Sequence, residues 1–185
     1  MLAVTEPAKL PVHEAKAGDP AAWDVLFRRY QLPLYVYVFE LVRNEQASLD
    51  LVQEAFIAAT RHIESLRDDS EFGSWLFGIA HQKCLQLWRS KRRVEVPLEE
   101  LPDLPADTDD APDDILIHHE AEEQVLALLE RLPVDQRSAL LLHSVEGFSL
   151  QEIAEITGVP VGTVKSRLHN AKRAMRRLLE RHEDT

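Results

Sequence analysis

Residues 95–123 carry twelve acidic side chains and no basic one, and four prolines fall between Pro97 and Pro112. Like charges at this density repel one another. Each proline removes a backbone donor and steers its predecessor away from the α-helical region, so the stretch is predicted to be an extended linker. A 185-residue chain interrupted in this way is expected to build two small units, one on either side. The interspersed Val96, Leu98, Leu101 and Leu104 suggest a segment able to dock apolar side chains on a surface, which a plain spacer does not need.

The same stretch accounts for the chain's charge. A formal net charge of −11 taken as an average argues against a nucleic-acid partner, because phosphate attraction needs local positive potential. Residues 1–94, however, hold twelve acidic and twelve basic side chains, and residues 124–185 hold eight and nine. The whole excess sits in the linker, and the average excludes nothing. The single cysteine, Cys84, rules out an internal disulfide and a Cys-rich zinc module, and fits a reducing compartment. No run of 18 apolar residues is present, and residues 1–11, with Glu6, Lys9 and two prolines, lack the apolar core of a signal peptide. No membrane insertion and a cytoplasmic location are expected.

Upstream of the linker the pattern is helical. Gly18-Asp19-Pro20 is a helix entry with Asp19 as the N-cap, followed by Trp23, Leu26, Phe27 and Tyr30 at helical spacing. Leu51, Val52, Ala55, Phe56, Ala59, Ile63 and Leu66 form an apolar stripe in steps of three and four. A third segment, Phe72 to Arg93, places Trp75, Leu76, Ile79, Ala80 and Leu87 on one face and ends in Arg89-Ser90-Lys91-Arg92-Arg93. Trp75, Phe72 and Phe77 could stack on unpaired bases, but aromatic residues at helical spacing are more often core. No alternating strand pattern occurs.

Downstream the helices are shorter. Ala121 to Leu132 ends at Pro133. Asp135 is placed to cap a second helix carrying Ala139, Leu140 and Leu142 and ending near Gly147. Ser149 followed by Glu152 matches a capping box for a third, which stops at Thr157-Gly158-Val159-Pro160. The last carries Val164, Leu168, Ala171, Met175 and Leu178 as a single seam. The fold class that follows is all-α: two small helical domains, 15–94 and 120–182, joined by an acidic Pro-rich linker, 95–119.

A short helix, a Gly-containing turn and a longer helix over Ser149–Arg177 is the helix-turn-helix arrangement, whose second helix lies in the major groove. At 100° per residue, Lys165, His169, Lys172 and Arg176 fall within about 60° of one another, away from the seam. Lys165 to Arg181 carries seven basic side chains against one acidic. Helix C-termini collect cations for dipole reasons alone, but here the charges begin in the first turn, where the dipole favours carboxylates. The pattern therefore points to phosphates. His118, His119 and Glu122, and separately His81 and Cys84, have helical metal-site spacing, but neither set gains further ligands. With no Gly-rich phosphate loop, nucleophile elbow or paired catalytic carboxylates, no metal, no cofactor and no enzymatic activity are expected.

Three segments carry a specific resemblance. Leu132-Pro133-Val134-Asp135-Gln136-Arg137, Glu146 to Ala154 (EGFSLQEIA) and Gly162 to Leu168 (GTVKSRL) together resemble the promoter-binding C-terminal domain of bacterial sigma factors of the extracytoplasmic-function (ECF) group. Asp50 to Phe56 (DLVQEAF) resembles their core-polymerase-binding helix, and Phe72 to Ala80 (FGSWLFGIA) the segment leading into −10 recognition. A response-regulator-type DNA-binding protein would share the Gly-Thr-Val helix but would leave these N-terminal segments without a role. A sigma-like decoy that binds only an anti-sigma protein would not need the basic helix.

The resemblance implies a non-catalytic subunit that binds RNA polymerase core and directs promoter-specific initiation at −35 and −10 elements, commonly under an anti-sigma factor. It implies that Asp50, Gln53 and Glu54 meet the clamp of the largest polymerase subunit, and that the second domain meets the flap of the second-largest. Thr163, Lys165, Ser166, Arg167, Asn170, Lys172 and Arg173 would face the −35 duplex; Gln82, Gln86, Arg89, Lys91, Arg92 and Arg93 would face the −10 strand. Arg and Lys can donate to guanine, and Asn can pair with adenine. An Arg167 contact of that bidentate kind would cost about 1–3 kcal/mol on truncation to alanine. The chain departs from the family at His81-Gln82, where many members have Arg-Asn, and near Gln86, where many have Asp, so a −10 preference cannot be copied from a relative.

Overall fold

The computed structural model describes residues 10–95, 128–144 and 146–183, with side chains through Ser90 in the first range and through Arg177, and at Leu179, in the last. The linker beyond Glu95, its apolar residues, His118, His119 and Glu122, and the start of the helix expected from Ala121 lie outside the described residues. Among those described, every regular element is a helix. None is long and apolar enough to cross a membrane, and no group of three or more His, Cys, Asp or Glu side chains is placed to hold a metal.

The first unit contains α1 (Val12–Lys16), α2 (Pro20–Val42), α3 (Glu45–His62) and α4 (Phe72–Glu95), with two 3₁₀ turns between α3 and α4. The Asp19 carboxylate accepts from the Ala21 amide at 2.9 Å, as the entry signal predicts. The Trp23–Tyr30 pattern marks only the first half of α2, which continues through Pro33 to Val42. At its end Arg43 adopts a left-handed φ of 53°, and Asn44 caps α3 through the Ala47 amide at 2.8 Å. Short α1 is fastened at its C-terminal end. Trp23 Nε1 donates to the Ala15 carbonyl, and Lys16 Nζ reaches the Leu66 carbonyl and Asp69.

The predicted α3 stripe is buried at every position from Leu51 to Leu66. On α4 only Leu76 and Ala80 of the predicted face are buried; Trp75, Ile79 and Leu87 are half-buried, and Phe72, Phe77 and Cys84 take the interior. The face rotates because α4 packs on two sides, against α3 and against the second unit.

The second unit contains helical residues 128–130, then α5 (Val134–Ser144), α6 (Leu150–Thr157) and α7 (Val161–Glu183). The Pro133 carbonyl accepts from the Gln136 and Arg137 amides, so α5 starts two residues earlier than an Asp135 cap would place it. Asp135 lies in its first turn and does not cap it. The capping box forms as predicted: Ser149 Oγ accepts from the Glu152 amide and Glu152 accepts from the Ser149 amide. Gly158 closes α6 at φ 70°, a conformation that penalises a Cβ. Val164, Leu168 and Ala171 hold α7 in the interior.

The two units are not packed separately. Their buried residues form one continuous cluster, with α5 against α2 and α6 against α4. At the seam the fully buried Tyr37 hydroxyl lies 2.8 Å from His81 Nδ1 and 2.8 Å from Ser138 Oγ. The Phe77 and Phe148 rings meet edge-on with centroids 5.2 Å apart. Arg43 pairs with Glu40 on its own helix and with Glu130 across the seam.

Burial lowers the His81 pKa to about 4; Asp135 opposes the shift and Arg167 adds to it. An imidazole that titrates near 6.5 when unfolded then contributes its full stabilisation above that pH, and loses it as pH falls toward 4. The lost contribution is about 3 kcal/mol. Buried Glu40 and half-buried Glu146, whose pKa values are raised by desolvation, act in the opposite sense, so the wild type must be compared with His81→Asn. Urea unfolding between pH 7 and pH 4 is expected to show a steeper loss in the wild type. Parallel curves would contradict it.

Candidate nucleic-acid interface

Three surfaces emerge from this framework. On α7, buried Val164, Leu168 and Ala171 alternate with exposed Lys165, Ser166, His169, Asn170, Lys172, Arg173, Arg176 and Arg177. The four residues predicted to share a face therefore do share it. Thr163 is half-buried, and its carbonyl accepts from Ser166 Oγ at 2.9 Å. Arg167 differs: it is half-buried and donates to the Asp135 carboxylate at 2.5 Å. That bond explains why Asp135, expected as a cap, faces the last helix instead. No carboxylate lies on α7 between Val161 and Leu179, so the exposed cations produce an unneutralised positive ridge on a helix of the length and solidity that major-groove insertion needs.

The second surface is the outer face of α4. Gln82, Gln86 and Arg89 are exposed. The first two line a cleft of about 630 Å³ with Trp75, Ile79, Lys83, Arg67 and His62 on the first unit. Trp75 packs on Phe72, centroids 6.0 Å apart, while keeping part of its ring at the cleft. An aromatic face beside amides and cations is the combination that single-stranded bases and phosphates use. Lys91, Arg92 and Arg93 continue α4 in backbone, with side chains outside the described residues.

The third surface is α3. Asp50, Gln53 and Glu54 are all exposed. Asp50 accepts from Gln46 at 3.1 Å, while Glu54 is tied to Lys83 of α4 at 2.8 Å. Gln53 borders an apolar groove between α2 and α3, where Phe27 (42% exposed), Leu32 (66%), Leu49 (48%) and Ile57 (42%) stand in solvent. Sequence reasoning missed this groove, although Leu49, Gln53 and Ile57 recur at steps of four beside the buried stripe. Cys84 offers nothing to any of these surfaces: it is fully buried, and desolvation pushes its thiol up to about 12.

Comparison with known proteins places the chain in one family. The Sigma-70 region 2 family matches residues 26–94 and the Sigma-70, region 4 family matches residues 122–175. RNA polymerase sigma-H factor of Pseudomonas aeruginosa is 31% identical over 183 residues, covering 91% of this chain and 92% of its own. The ECF RNA polymerase sigma-E factor of Escherichia coli K12 is 32% identical over 173 residues, covering 89% and 90%. Among solved structures, the sigma factor RpoE of Bartonella quintana, co-crystallised with the anti-sigma factor NepR, is similar with a TM-score of 0.63 and 25% identity. That match covers 84% of this chain and 96% of that one. With region 2 and region 4 matched in that order and a basic helix-turn-helix at the C-terminal end, the chain belongs to the extracytoplasmic-function group of RNA polymerase sigma factors, non-enzymatic initiation factors that direct transcription from specific promoters.

Proposed function

We propose that this sigma factor divides its work among the three surfaces, in a domain plan of 15–94 for core and −10 binding and 120–182 for −35 binding. The observation that carries this reading is the ridge on α7, where every described side chain from Lys165 to Arg177 that leaves the seam outward is polar or basic. Lys165, Ser166 and Asn170 stand where a recognition helix presents base-reading groups. Lys172 and Arg173 supply phosphate contacts one to two turns further on. Thr163, near the start of α7, adds a hydroxyl to the approach. Arg167 has five guanidinium donors, so it can retain Asp135 while offering an outer edge to DNA. Breaking that pair is expected to reposition α7 against α5: Asp135→Ala lowers −35 affinity less than Arg167→Ala does, measured by anisotropy with labelled −35 duplex.

On the first unit, Gln82 and Gln86 read or hold bases of the opened −10 strand, with Trp75 as the neighbouring ring and Arg89, Lys91, Arg92 and Arg93 on the phosphates. Asp50, Gln53 and Glu54, with the apolar groove beside them, form the face for the clamp of the largest polymerase subunit. The second unit meets the flap of the second-largest. The factor works in the cytoplasm, and by likeness to the complex with NepR it is held in check by an anti-sigma protein. Run-off transcription with purified bacterial core polymerase tests the reading. Discrete promoter-specific transcripts are expected only when the factor is added, and failure to bind core would reject it.

A further inference from the structure

Part of the cleft that holds Gln82 and Gln86 is lined by a loop. Ser65, Leu66, Arg67 and Glu71 reach it from the turns between α3 and α4. No residue from Arg67 to Glu71 is buried, and the bonds that shape the segment are local. The Asp68 carboxylate accepts from the Ser70 amide at 2.9 Å and the Ser70 hydroxyl at 2.7 Å, and the Asp68 carbonyl accepts from the Glu71 amide at 3.1 Å. Such turns fix the shape of a segment but not where it stands, and a segment with few buried contacts opens readily. A tie to another element comes from Lys16 of α1, whose Nζ donates to the Leu66 carbonyl at 2.8 Å and to the Asp69 carboxylate at 2.5 Å. These two acceptors flank Arg67. We infer that Lys16 is a positioning residue for −10 recognition, bracing the loop so that Arg67 stands at the cleft. This inference rests on the assignment of the cleft to the −10 strand.

A brace must itself be held, and α1 is. Val12 and Ala15 are 0% and 1% exposed, and the Ala15 carbonyl accepts from Trp23 Nε1 at 3.2 Å. The Trp23 ring meets Phe72, the first residue of α4, with centroids 6.3 Å apart. Lys16 therefore stands on the same frame as the helix that carries Gln82 and Gln86. Its side chain is only 20% exposed, so both bonds are charge-assisted and shielded from water. The pairing also acts on charge: with Asp69 turned to Lys16, its carboxylate is kept from the guanidinium of Arg67 two residues earlier, which stays available to a phosphate or a base. One cation holding a carbonyl and a carboxylate together cannot be replaced by a neutral side chain, whereas arginine has donors enough for both. A loop ordered in advance does not have to be ordered when the strand binds, and that saving appears as affinity. The brace comes from outside residues 26–94, the range that the region 2 family matches.

Holoenzyme reconstituted with Lys16→Met tests this, with a pool of short fluorescent single-stranded DNA randomised over the −10 positions and binding by core alone subtracted. Affinity for the pool is expected to fall by about tenfold, as when only a tenth of the molecules hold the loop in place. The amount of factor that saturates core and the affinity for −35 duplex are expected to stay as in the wild type, and Lys16→Arg to restore pool binding. Pool binding by Lys16→Met equal to the wild type, or a matching loss in core binding, overturns the inference. The route through Arg67 is read from the double variant: Lys16→Met is expected to add little to Arg67→Ala, and losses that simply add overturn it. Should Lys16→Met fail to fold, Asp69→Asn, which removes one acceptor at a half-exposed site, is read in the same way. Gln82→Ala with Gln86→Ala separates the two levels. Unchanged pool binding there rejects the assignment of the cleft and this inference with it, whereas a loss there with none for Lys16→Met rejects this inference alone.

Discussion

Phe72→Ala is expected to lower stability by about 3–5 kcal/mol, the range for emptying a fully buried phenylalanine site. The residue is 0% exposed, opens α4, and touches three other rings: Tyr30 at 5.5 Å, Trp75 at 6.0 Å and Trp23 at 6.3 Å between centroids. A Cβ on the adjacent Gly73 would already meet the Tyr30 hydroxyl at 3.0 Å, so the surroundings are closely packed, and collapse into the cavity is limited. Because Trp75 loses its support, binding of single-stranded −10 DNA should weaken as well, even in conditions where the variant remains folded. Urea midpoints and anisotropy measure the two effects. A loss below about 1 kcal/mol would place Phe72 outside the core.

The largest effect on binding is expected from Lys165→Glu combined with Lys172→Glu. The two side chains are exposed and lie on one face of α7, about 20° apart, so the substitution inverts the centre of the ridge. If both contact phosphates, the dependence of log affinity on log salt should become shallower by about two. Affinity for −35 duplex should fall by about a hundredfold or more at low salt, since attraction is replaced by repulsion. Folding should be unaffected: a glutamate near the start of α7 is favourable to the helix dipole. An unchanged salt slope would show that the ridge faces solvent in the complex.

The sequence carried most of the local structure. Caps at Asp19 and Ser149, the stop at Gly158, the α3 stripe and the outward face of α7 depend on neighbours three or four residues away, and the structure reports each of them. What failed was of two kinds. Asp135 satisfied the pattern for a cap, but Pro133 already begins α5 with its own carbonyl, and Arg167, 32 residues on, offers the carboxylate a stronger, charged partner. The contact between units was not legible at all, because it joins Tyr37 to Ser138, 101 residues apart, across a linker that gives no register. Glu40, a lone acid in the run Val38-Phe39-Glu40-Leu41-Val42, was the available hint. A charge kept inside an apolar stripe needs a partner, here Arg43 three residues on and Arg137 from the second unit.

The candidate site was legible in the same uneven way. Exposed groups on α7 followed from periodicity, whereas the groove at Phe27, Leu32, Leu49 and Ile57 depends on how α2 crosses α3. The polar trio Asp50, Gln53 and Glu54 showed only half of that surface, and Lys83 was not foreseen as the partner of Glu54.

Transcription by reconstituted holoenzyme from a promoter library, randomised separately at the −35 and −10 elements, tests the division of labour most directly. The account predicts that Asn170→Ala relaxes preference at one or more −35 positions and leaves −10 unchanged, while Gln82→Asn alters −10 preference and leaves −35 unchanged. Variants that lower output uniformly without changing either preference would contradict the assignment of these side chains to sequence reading.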